Sequence, residues 1–500
     1  MGIIARQSIK GTIYSYIGVV LGFINVGLLM PNIFSTEEIG LVNLLVALSA
    51  IIGQFGTLGM MNVTIRQFPF FRDKEKKHNG FLFLLLSVGV FGFLLSAIGY
   101  YASKDWLIET NIEKSPLFAE YVYLLLPLIF ATIFFFLLDT YNRMFFNASF
   151  GIFVKEFLLR ILNLLGIILF YLKVFDFHGF IIFYTIAYGV PTILLCLLLI
   201  IRGEFSLKPD LKFINSKILR EIISVALFGI VSGFSGLVVM QIDRYLVNHY
   251  CNLSDTGIYS TVFFFGSVIL MPGRSLIRIA STSIAEAFKK ENIDEVNKIY
   301  SGSTINLSII GLLLFLLVWI NTDNILMLLP DEFHSGKMVI FYIALGHLLQ
   351  MYAGISGEII QFGKFYKEHS LIMIFLIICI VIFNIILLPV YGITGAGIAF
   401  ALSFLIYWII RVWFVYSKYK LFPYNNKFLK LNLIGILSLI INSLIPTTPF
   451  IFDVLIRTGV ITSFFLALII YLRISEDYNQ KATDFIEIIK QYIVKIRNHK

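Results

Sequence analysis

The sequence predicts an all-α protein that crosses a membrane many times, and three observations support this. Of its 500 residues, 58% are hydrophobic and only 14% are charged. The hydrophobic residues form about fourteen blocks of roughly 20 residues, the length that a helix needs to cross the hydrocarbon of a bilayer. Lysine and arginine are frequent in alternate connections and nearly absent from the others. The composition excludes the several soluble domains that the length alone would suggest.

The predicted spans follow the apolar blocks in order along the chain. They are residues 9–31, 38–62, 79–101, 117–139, 152–174, 178–201, 220–248, 256–280, 303–321, 337–361, 369–389, 393–416, 428–446 and 450–473. Lys173 and Asp176 separate the fifth span from the sixth and predict a very tight turn there.

The distribution of basic residues predicts the orientation. One set of connections holds Arg6, Lys10, Arg66, Arg72, Lys74, Lys76, Lys77, Arg143, Lys155, Arg160, Arg202, Lys208, Lys212, Lys217, Arg220, Arg274, Arg278, Lys289, Lys290, Lys298, Lys364, Lys367, Arg411, Lys418, Lys420, Lys427 and Lys430. The opposite set holds only Lys104, Lys114, Lys173 and Lys337. Because basic connections stay in the cytoplasm, we expect both termini there. In the tail, Phe485, Ile488, Ile489, Tyr492, Ile493 and Ile496 recur at helical spacing among basic residues and predict an amphipathic helix on the membrane surface.

The sequence offers little for catalysis or nucleic-acid binding. Gly363-Lys364 lacks the preceding glycine and the following Ser or Thr of a phosphate-binding Walker loop. The seven histidines and three cysteines show no metal-binding spacing. We therefore predict a protein that is not an enzyme and uses no cofactor or metal. The net charge of +9 follows the membrane topology and does not indicate a nucleic-acid partner.

An internal repeat predicts two lobes. Residues 37–41 match residues 254–258, so that Gly40 corresponds to Gly257, 217 positions later. Residues 174–179 match residues 390–395 at an offset of 216. The offset covers six spans, an even number, so both copies point the same way and are related by an axis along the membrane normal. We expect a six-helix lobe in residues 1–205, a second in residues 206–425, two further spans in residues 426–475 and a cytoplasmic tail in residues 476–500.

Polar residues in the eighth span are the main candidates for substrate binding. Ser260, Ser267, Arg274 and Ser281 recur every seven residues, with Arg278 one turn beyond Arg274. This spacing predicts one polar face on a helix that bends at Pro272. The face either lines a water-filled cavity, or its arginines only anchor the inner end of the span.

Further ionisable residues lie within other spans. Asp243 and Arg244 in the seventh span form either a gate or ion-coupling pair, or a structural ion pair with neighbouring helices. Glu358 in the tenth span is a second candidate for gating or ion coupling. Two further candidates are weaker. Asp139, with Arg143, lies near the interface, and Arg457 can extend its charged end to the surface.

Six plus six plus two spans resemble the polysaccharide flippases of the multidrug/oligosaccharidyl-lipid/polysaccharide (MOP) exporter superfamily, which include the transporters of O-antigen and capsule repeat units. The residues that resemble this family are Gln241-Ile242-Asp243-Arg244-Tyr245-Leu246, Gly257-Ile258-Tyr259-Ser260, Pro272, Ile284-Ala285-Glu286-Ala287 and Tyr391-Gly392-Ile393-Thr394-Gly395-Ala396-Gly397.

The resemblance implies a MATE-like fold in the inner membrane and alternating access by two lobes. It also implies an undecaprenyl-diphosphate-linked oligosaccharide as substrate, a coupling cation (H⁺ or Na⁺), contact with membrane lipids and with other polysaccharide-assembly proteins. Arg274, Arg278 and Ser267 would hold the pyrophosphate, because guanidinium groups bind phosphate oxygens in pairs. Asp243, Arg244 and Glu358 would serve gating or ion coupling. Three alternatives stay open: a flippase of lipid-linked peptidoglycan precursors, a cation-coupled multidrug exporter, and a membrane glycosyl polymerase or ligase.

Overall fold

The computed structural model describes residues 3–210, 213, 215–480 and 483–484, and every regular element in them is a helix. The predicted amphipathic helix of residues 485–496 lies outside this part of the chain. In the first half the α-helices are α1 (Ile3–Gly22), α2 (Met30–Ile33), α3 (Thr36–Gly56), α4 (Met60–Phe71), α5 (Phe81–Asn111), α6 (Pro116–Tyr121), α7 (Leu125–Arg143), α8 (Ala148–Ile152), α9 (Leu159–Tyr171) and α10 (Phe177–Ile201). Two π-helical segments, Phe23–Leu29 and Phe153–Leu158, continue α1 into α2 and α8 into α9.

The second half contains ten more α-helices. They are α11 (Ser216–Tyr250), α12 (Leu253–Ser267), α13 (Leu270–Lys289), α14 (Ile293–Ile320), α15 (Thr322–Leu326), α16 (Lys337–Tyr352), α17 (Ser356–Phe362), α18 (Tyr366–Tyr419), α19 (Asn426–Leu444) and α20 (Phe450–Tyr471).

Helices lie at all fourteen predicted spans. Within the described residues, nine helices are long and apolar enough to cross a membrane, and up to eleven if each of two bent pairs counts as one span. One of the nine, Lys367–Tyr419, covers two predicted spans and is interrupted at Gly392, whose φ of 55° and ψ of −142° leave the helical region. The predicted tight turn joins α9 to α10, where the Asp176 carboxylate accepts a hydrogen bond from the Gly179 amide at 2.7 Å. The protein is therefore an all-α, multi-pass membrane protein.

The chain forms two compact units. The first contains residues 1–261 and 380–396, and the second contains residues 262–379 and 397–500. This division differs from the predicted lobe boundary at residue 205, because α11 packs along α3 and α4. At the end of α11, Asn248 donates a hydrogen bond to Asn111 at 2.9 Å and accepts one from Ser115 at 2.8 Å. The division at residues 205, 425 and 475 that the repeat suggests stays a prediction.

In the first unit, glycines bring helix backbones together. A Cβ atom on Gly92 of α5 would lie 1.9 Å from the carbonyl oxygen of Gly56 at the end of α3. Only glycine fits such a crossing, since real Cβ atoms do not approach other atoms within 3 Å. The crossing fixes α5 against α3.

In the second unit, α14 contacts α13, α16, α19 and α20. The last two helices are bonded to α14 and the residues after it near both of their ends. At one end Asn306 accepts a hydrogen bond from Ser475 at 2.7 Å. At the other, Asn321 donates to Thr458 at 3.2 Å and Asn324 donates to Asp453 at 2.7 Å. The predicted additional helices are thus part of the packed second unit.

Two further spans are broken. Helices α12 and α13 meet at an angle of 57°, and α16 and α17 at 51°. The sequence predicts the first bend at Pro272, and the break lies at residues 268–269, since proline cannot donate to the carbonyl four residues before it. The second break contains Gly354 at φ 58°, a conformation that glycine adopts without strain.

Candidate functional site

Helix α13 presents Arg274 and Arg278 one turn apart on its exposed face. Its opposite face is buried and includes Gly273, Ala280, Ile284 and Ala287. Glycine at 273 leaves room for the Met351 side chain, whose sulfur would lie 2.6 Å from a Cβ atom there. Neither guanidinium forms a hydrogen bond or salt bridge with a residue that the structure describes. Helix packing therefore leaves two free cations side by side, with Cβ atoms about 5–6 Å apart.

The predicted serine face is not continuous in the structure. Ser267 ends α12, is half-buried, and donates to the carbonyl of Phe264 at 2.8 Å. Ser260 is 2% exposed and accepts a hydrogen bond from Arg244 at 3.2 Å. The sequence predicts a bent polar face, and the structure places the bend between Ser267 and Arg274, with Ser260 and Ser267 before it and the two arginines after it. Arg274 and Arg278 stay together because both follow the break.

Asp243 lies at the centre of a buried polar cluster in the first unit. Its side chain accepts a hydrogen bond from the Tyr259 hydroxyl at 3.1 Å and another from the Asn384 amide at 2.9 Å. Asp243 is 2% exposed and Asn384 is fully buried. Among the described residues no salt bridge involves this carboxylate, which differs from the structural ion pair considered above. Neutral donors alone hold this acid.

Arg244, the next residue of α11, binds other side chains and a backbone carbonyl. Its guanidinium donates to Ser260 and, at 3.1 Å, to the carbonyl of Met240, and it also contacts the Gln241 side chain. Hydrogen bonds thus join Asp243 to Tyr259 and Asn384, and Arg244 to Ser260, Met240 and Gln241. Asn384, which the sequence analysis missed, is a lone amide inside an otherwise apolar span, and that isolation is the signal that could have identified it.

Glu358 of α17 faces Arg411 of α18 inside the second unit. The Glu358 Oε2 atom lies 3.9 Å from an Arg411 nitrogen, and Arg411 is only 6% exposed. The guanidinium lies 5.0 Å from the ring centroid of Tyr407 and against Gly357, where a Cβ atom would be 2.4 Å from it. By sequence, Arg411 belongs to the basic residues predicted to be cytoplasmic; in the structure it lies within α18 and is buried. Because positive-inside counting registers position along the chain and not packing, it could not identify a buried arginine.

The weaker candidates form ion pairs. Asp139, 3% exposed, forms a salt bridge with Arg143. The Lys155 ammonium lies 4.9 Å from the ring centroid of Phe135, a cation–π contact. Arg457 does not extend to the surface: it is 9% exposed and its Nε donates to Asp453 at 2.6 Å.

The site residues thus occupy two places that are described separately. Asp243 and Arg244 belong to the first unit. Ser267, Arg274, Arg278 and Glu358 belong to the second, where α17 packs against α13. Within the described residues, no group of three or more His, Cys, Asp or Glu side chains could hold a metal ion.

Comparison with known proteins identifies the fold. No family model matches the sequence. An uncharacterised membrane protein of Methanocaldococcus jannaschii is 24% identical over 232 residues, which are 45% of each chain, so this chain spans about half the length of that relative. The lipid II flippase MurJ in an inward closed conformation superposes with a TM-score of 0.74 at 15% identity, over 93% of this chain and 99% of that one.

Two other transporter structures of the MOP superfamily are also similar. An inward-facing multidrug resistance MATE family transporter of the MOP superfamily gives a TM-score of 0.66 at 15% identity, over 80% of this chain and 94% of that one. A MOP superfamily transporter from Pyrococcus furiosus gives 0.55 at 14% identity, over 84% and 95%. At these identities the likeness assigns the fold and not the substrate. The chain has the fold that the MATE and MurJ transporters of the MOP superfamily share.

Proposed function

We propose that this protein is a flippase that moves an undecaprenyl-diphosphate-linked oligosaccharide, such as a polysaccharide or O-antigen repeat unit, from the cytoplasmic to the outer leaflet of the inner membrane. The transport is ion-coupled and proceeds by alternating access, with both termini in the cytoplasm. The shared fold, the six-plus-six-plus-two pattern and the free arginines of α13 support this proposal.

The observation that carries the proposal is the pair of unpaired arginines. A charged side chain at membrane depth costs at least about 2.5 kcal/mol and faces protein or water. Arg274 and Arg278 have no acidic partner among the described residues, so their donors are available to a ligand. A diphosphate supplies several oxygens at the spacing of two such groups, and arginine binds phosphate through two parallel hydrogen bonds. Ser267, at the end of α12, adds a hydroxyl near the same break.

Ion coupling in this proposal uses the buried carboxylates. In the described residues, the Asp243 carboxylate receives hydrogen bonds from neutral groups, whereas Glu358 forms a salt bridge with Arg411 at 3.9 Å without a hydrogen bond. Asp243 would bind H⁺ or Na⁺ directly, and Glu358 would bind the ion in exchange for its salt bridge with Arg411. Arg244, bonded to Ser260 of the next helix, would transmit the change between α11 and α12.

The apolar anchor of the substrate stays in lipid. Helices α19 and α20 expose apolar side chains along their length, among them Leu433, Ile440 and Leu455. We propose that this surface accommodates the isoprenoid chain and surrounding membrane lipids. Other polysaccharide-assembly proteins would supply and collect the glycan.

Complementation tests the arginine pair. Arg274→Ala and Arg278→Ala are expressed in a flippase-null strain with defined lipid-linked glycans, with Lys289→Ala, also exposed on α13, as the matched control. We expect both arginine variants to fold and to lose surface polysaccharide, and the control to retain it. Normal polysaccharide in both arginine variants would remove this site from the proposal.

Flux in liposomes tests the coupling. Asp243→Asn and Glu358→Gln keep the side-chain shapes and remove the ionisable group. We expect a substrate-dependent H⁺ or Na⁺ flux to fall in the variant whose carboxylate is coupled. An undiminished ion-driven flux in both variants contradicts the assignment of these residues.

A flippase of lipid-linked peptidoglycan precursors is the second candidate. It is favoured by the match to MurJ, which covers 93% of this chain, whereas the matches to the MATE transporter and to the Pyrococcus furiosus transporter cover 80% and 84%. Both substrates present a diphosphate to Arg274 and Arg278, so the arginine variants do not separate them. The two candidates are separated by complementation in which a peptidoglycan precursor or an oligosaccharide repeat unit is the sole substrate. A multidrug exporter would export cationic dyes instead, and a glycosyl polymerase or ligase would lengthen or transfer the glycan.

A further inference from the structure

The two copies of the internal repeat touch each other directly. Residues 36–40 begin α3 and residues 253–257 begin α12, and both belong to the first unit. A Cβ atom on Gly40 would lie 2.0 Å from the carbonyl oxygen of Leu253. A Cβ atom on Gly257 would lie 1.9 Å from the carbonyl oxygen of Thr36. Both glycines are buried, so the two helices meet backbone to backbone.

The contact is reciprocal under the repeat. Adding 217 to 36 gives 253, and adding 217 to 40 gives 257, so each close approach is the image of the other. A contact in which residue i meets j and the equivalent of j meets the equivalent of i lies on a two-fold axis. The helix caps follow the same relation. Ser35 caps α3 by accepting from the Glu38 amide at 3.2 Å, and Asn252, 217 positions later, accepts from the Asp255 amide at 2.8 Å.

Little besides backbone holds the two segments together. One side-chain hydrogen bond joins them directly, between the Thr36 and Ser254 hydroxyls at 2.7 Å. The three atoms nearest to a Cβ atom at each glycine all belong to the backbone of the other segment. Contacts that lack interlocked side chains can separate and re-form without repacking a core, which is what a contact that opens in every transport cycle requires.

We infer that the Thr36/Gly40–Leu253/Gly257 contact is a gate on the pseudo-two-fold axis, closed in this structure, which separates when the protein opens on that side of the membrane. By the predicted orientation this is the outer side, because residues 32–37 and 249–255 connect spans there. The inference rests on the proposed alternating access and adds to it the residues that close one end. Gly40 and Gly257 are required because any side chain would hold the gate open.

Thiol labelling tests the gate without any substrate. In the full chain with Cys196, Cys251 and Cys379 replaced by alanine, Thr36→Cys places one thiol in the contact, where Thr36 is 6% exposed. Adding Gly40→Ala or Gly257→Ala should raise its rate of labelling by a hydrophilic maleimide about tenfold or more, since one extra methyl overpacks the contact. Because the contact is reciprocal, the two variants should act alike. Gly99→Ala is the matched control, since a Cβ atom there meets no atom within 4 Å.

Cross-linking provides the second measurement. Thr36→Cys with Ser254→Cys in the same background should form a disulfide under mild oxidation. The oxidised protein should stop flipping a fluorescent undecaprenyl-diphosphate disaccharide in proteoliposomes, and reduction should restore it. If the glycine variants do not fold, this reversible block decides the matter.

Two results overturn the inference: unchanged labelling in folded Gly40→Ala and Gly257→Ala, or full flipping by the cross-linked protein. If the reduced protein flips none of this probe, the proposed substrate fails, while the labelling rates still decide whether the gate exists.

Discussion

Replacing Arg457 in α20 should destabilise the protein, because this residue organises a buried polar cluster. Its Nε donates to Asp453 at 2.6 Å and its Nη1 donates to the side chain of Asn442, on α19, at 2.9 Å. Asp453 also accepts from Asn324 at 2.7 Å and from the Thr448 amide at 3.2 Å. The cluster therefore joins α19 and α20 to the segment after α14.

The expected magnitude follows from these bonds. Arg457→Met keeps most of the side-chain volume and removes these two hydrogen bonds, each worth about 1.5–3 kcal/mol when one partner is charged. It also removes two longer bonds, to the carbonyls of Asn442 at 3.3 Å and of Ile445 at 3.4 Å. Because Asp453 keeps two donors, we expect a loss of about 3–4 kcal/mol in the free energy of unfolding, the lower end both of the sum of the two short bonds and of the roughly 3–5 kcal/mol for breaking a buried ion pair.

A double-mutant cycle measures the coupling. Arg457→Met, Asp453→Asn and the double variant are unfolded with denaturant in mixed micelles, with Leu455→Ala, 64% exposed on the same helix, as control. The double variant should lose less stability than the sum of the single variants, because both single changes break the same Arg457–Asp453 pair. Strict additivity, or an Arg457→Met loss below about 0.5 kcal/mol, would refute the reasoning.

Three further predictions concern other parts of the fold. Gly92→Ala should prevent the close crossing of α5 and α3, because the new Cβ atom would lie 1.9 Å from the carbonyl oxygen of Gly56, and should lower the folded yield in size-exclusion profiles. Gly99→Ala, with open space around it, should instead stabilise its helix by about 0.5–1 kcal/mol. Burial raises the pKa of the Cys251 thiol to about 11. Its rate of labelling by maleimide at pH 7.5 should therefore be about 100-fold lower than that of a thiol of pKa 9, and should rise about tenfold per pH unit up to pH 10. A rate that does not change with pH contradicts this. Gly357→Ala should displace the Arg411 guanidinium, 2.4 Å from the new methyl, and cost about 1–3 kcal/mol in thermal unfolding, a loss that Arg411→Met in the same chain should relieve.

The sequence predicted the helices well because membrane-spanning helices are specified by local composition. Each of the fourteen apolar blocks coincides with helix, and the turn at Asp176 forms where the charged residues interrupt the blocks. In lipid, backbone groups must be bonded within the segment, so a long apolar run has no alternative to helix.

The partners of buried polar residues were not predictable from the sequence. Asn384 meets Asp243 from a helix 141 positions later, and Arg411 meets Glu358 across the second unit. Hydropathy and charge counting describe one segment at a time, and such pairs depend on how helices rotate and pack. The break after Ser267 is an intermediate case: Pro272 signals a bend, but the exact residues that separate follow from packing.

Three asparagines bind the last helix, α20, and the residues after it to α14 and α15. If the chain ended after Tyr424, the side chains of Asn306 and Asn324 would lose these partners, and Asn321 would keep the bond to the Leu317 carbonyl alone. Because an unsatisfied polar group at membrane depth costs several kcal/mol, we expect a twelve-helix relative to carry other residues at these positions. Asparagine there in a related sequence would indicate that two helices follow, even before their hydropathy is examined.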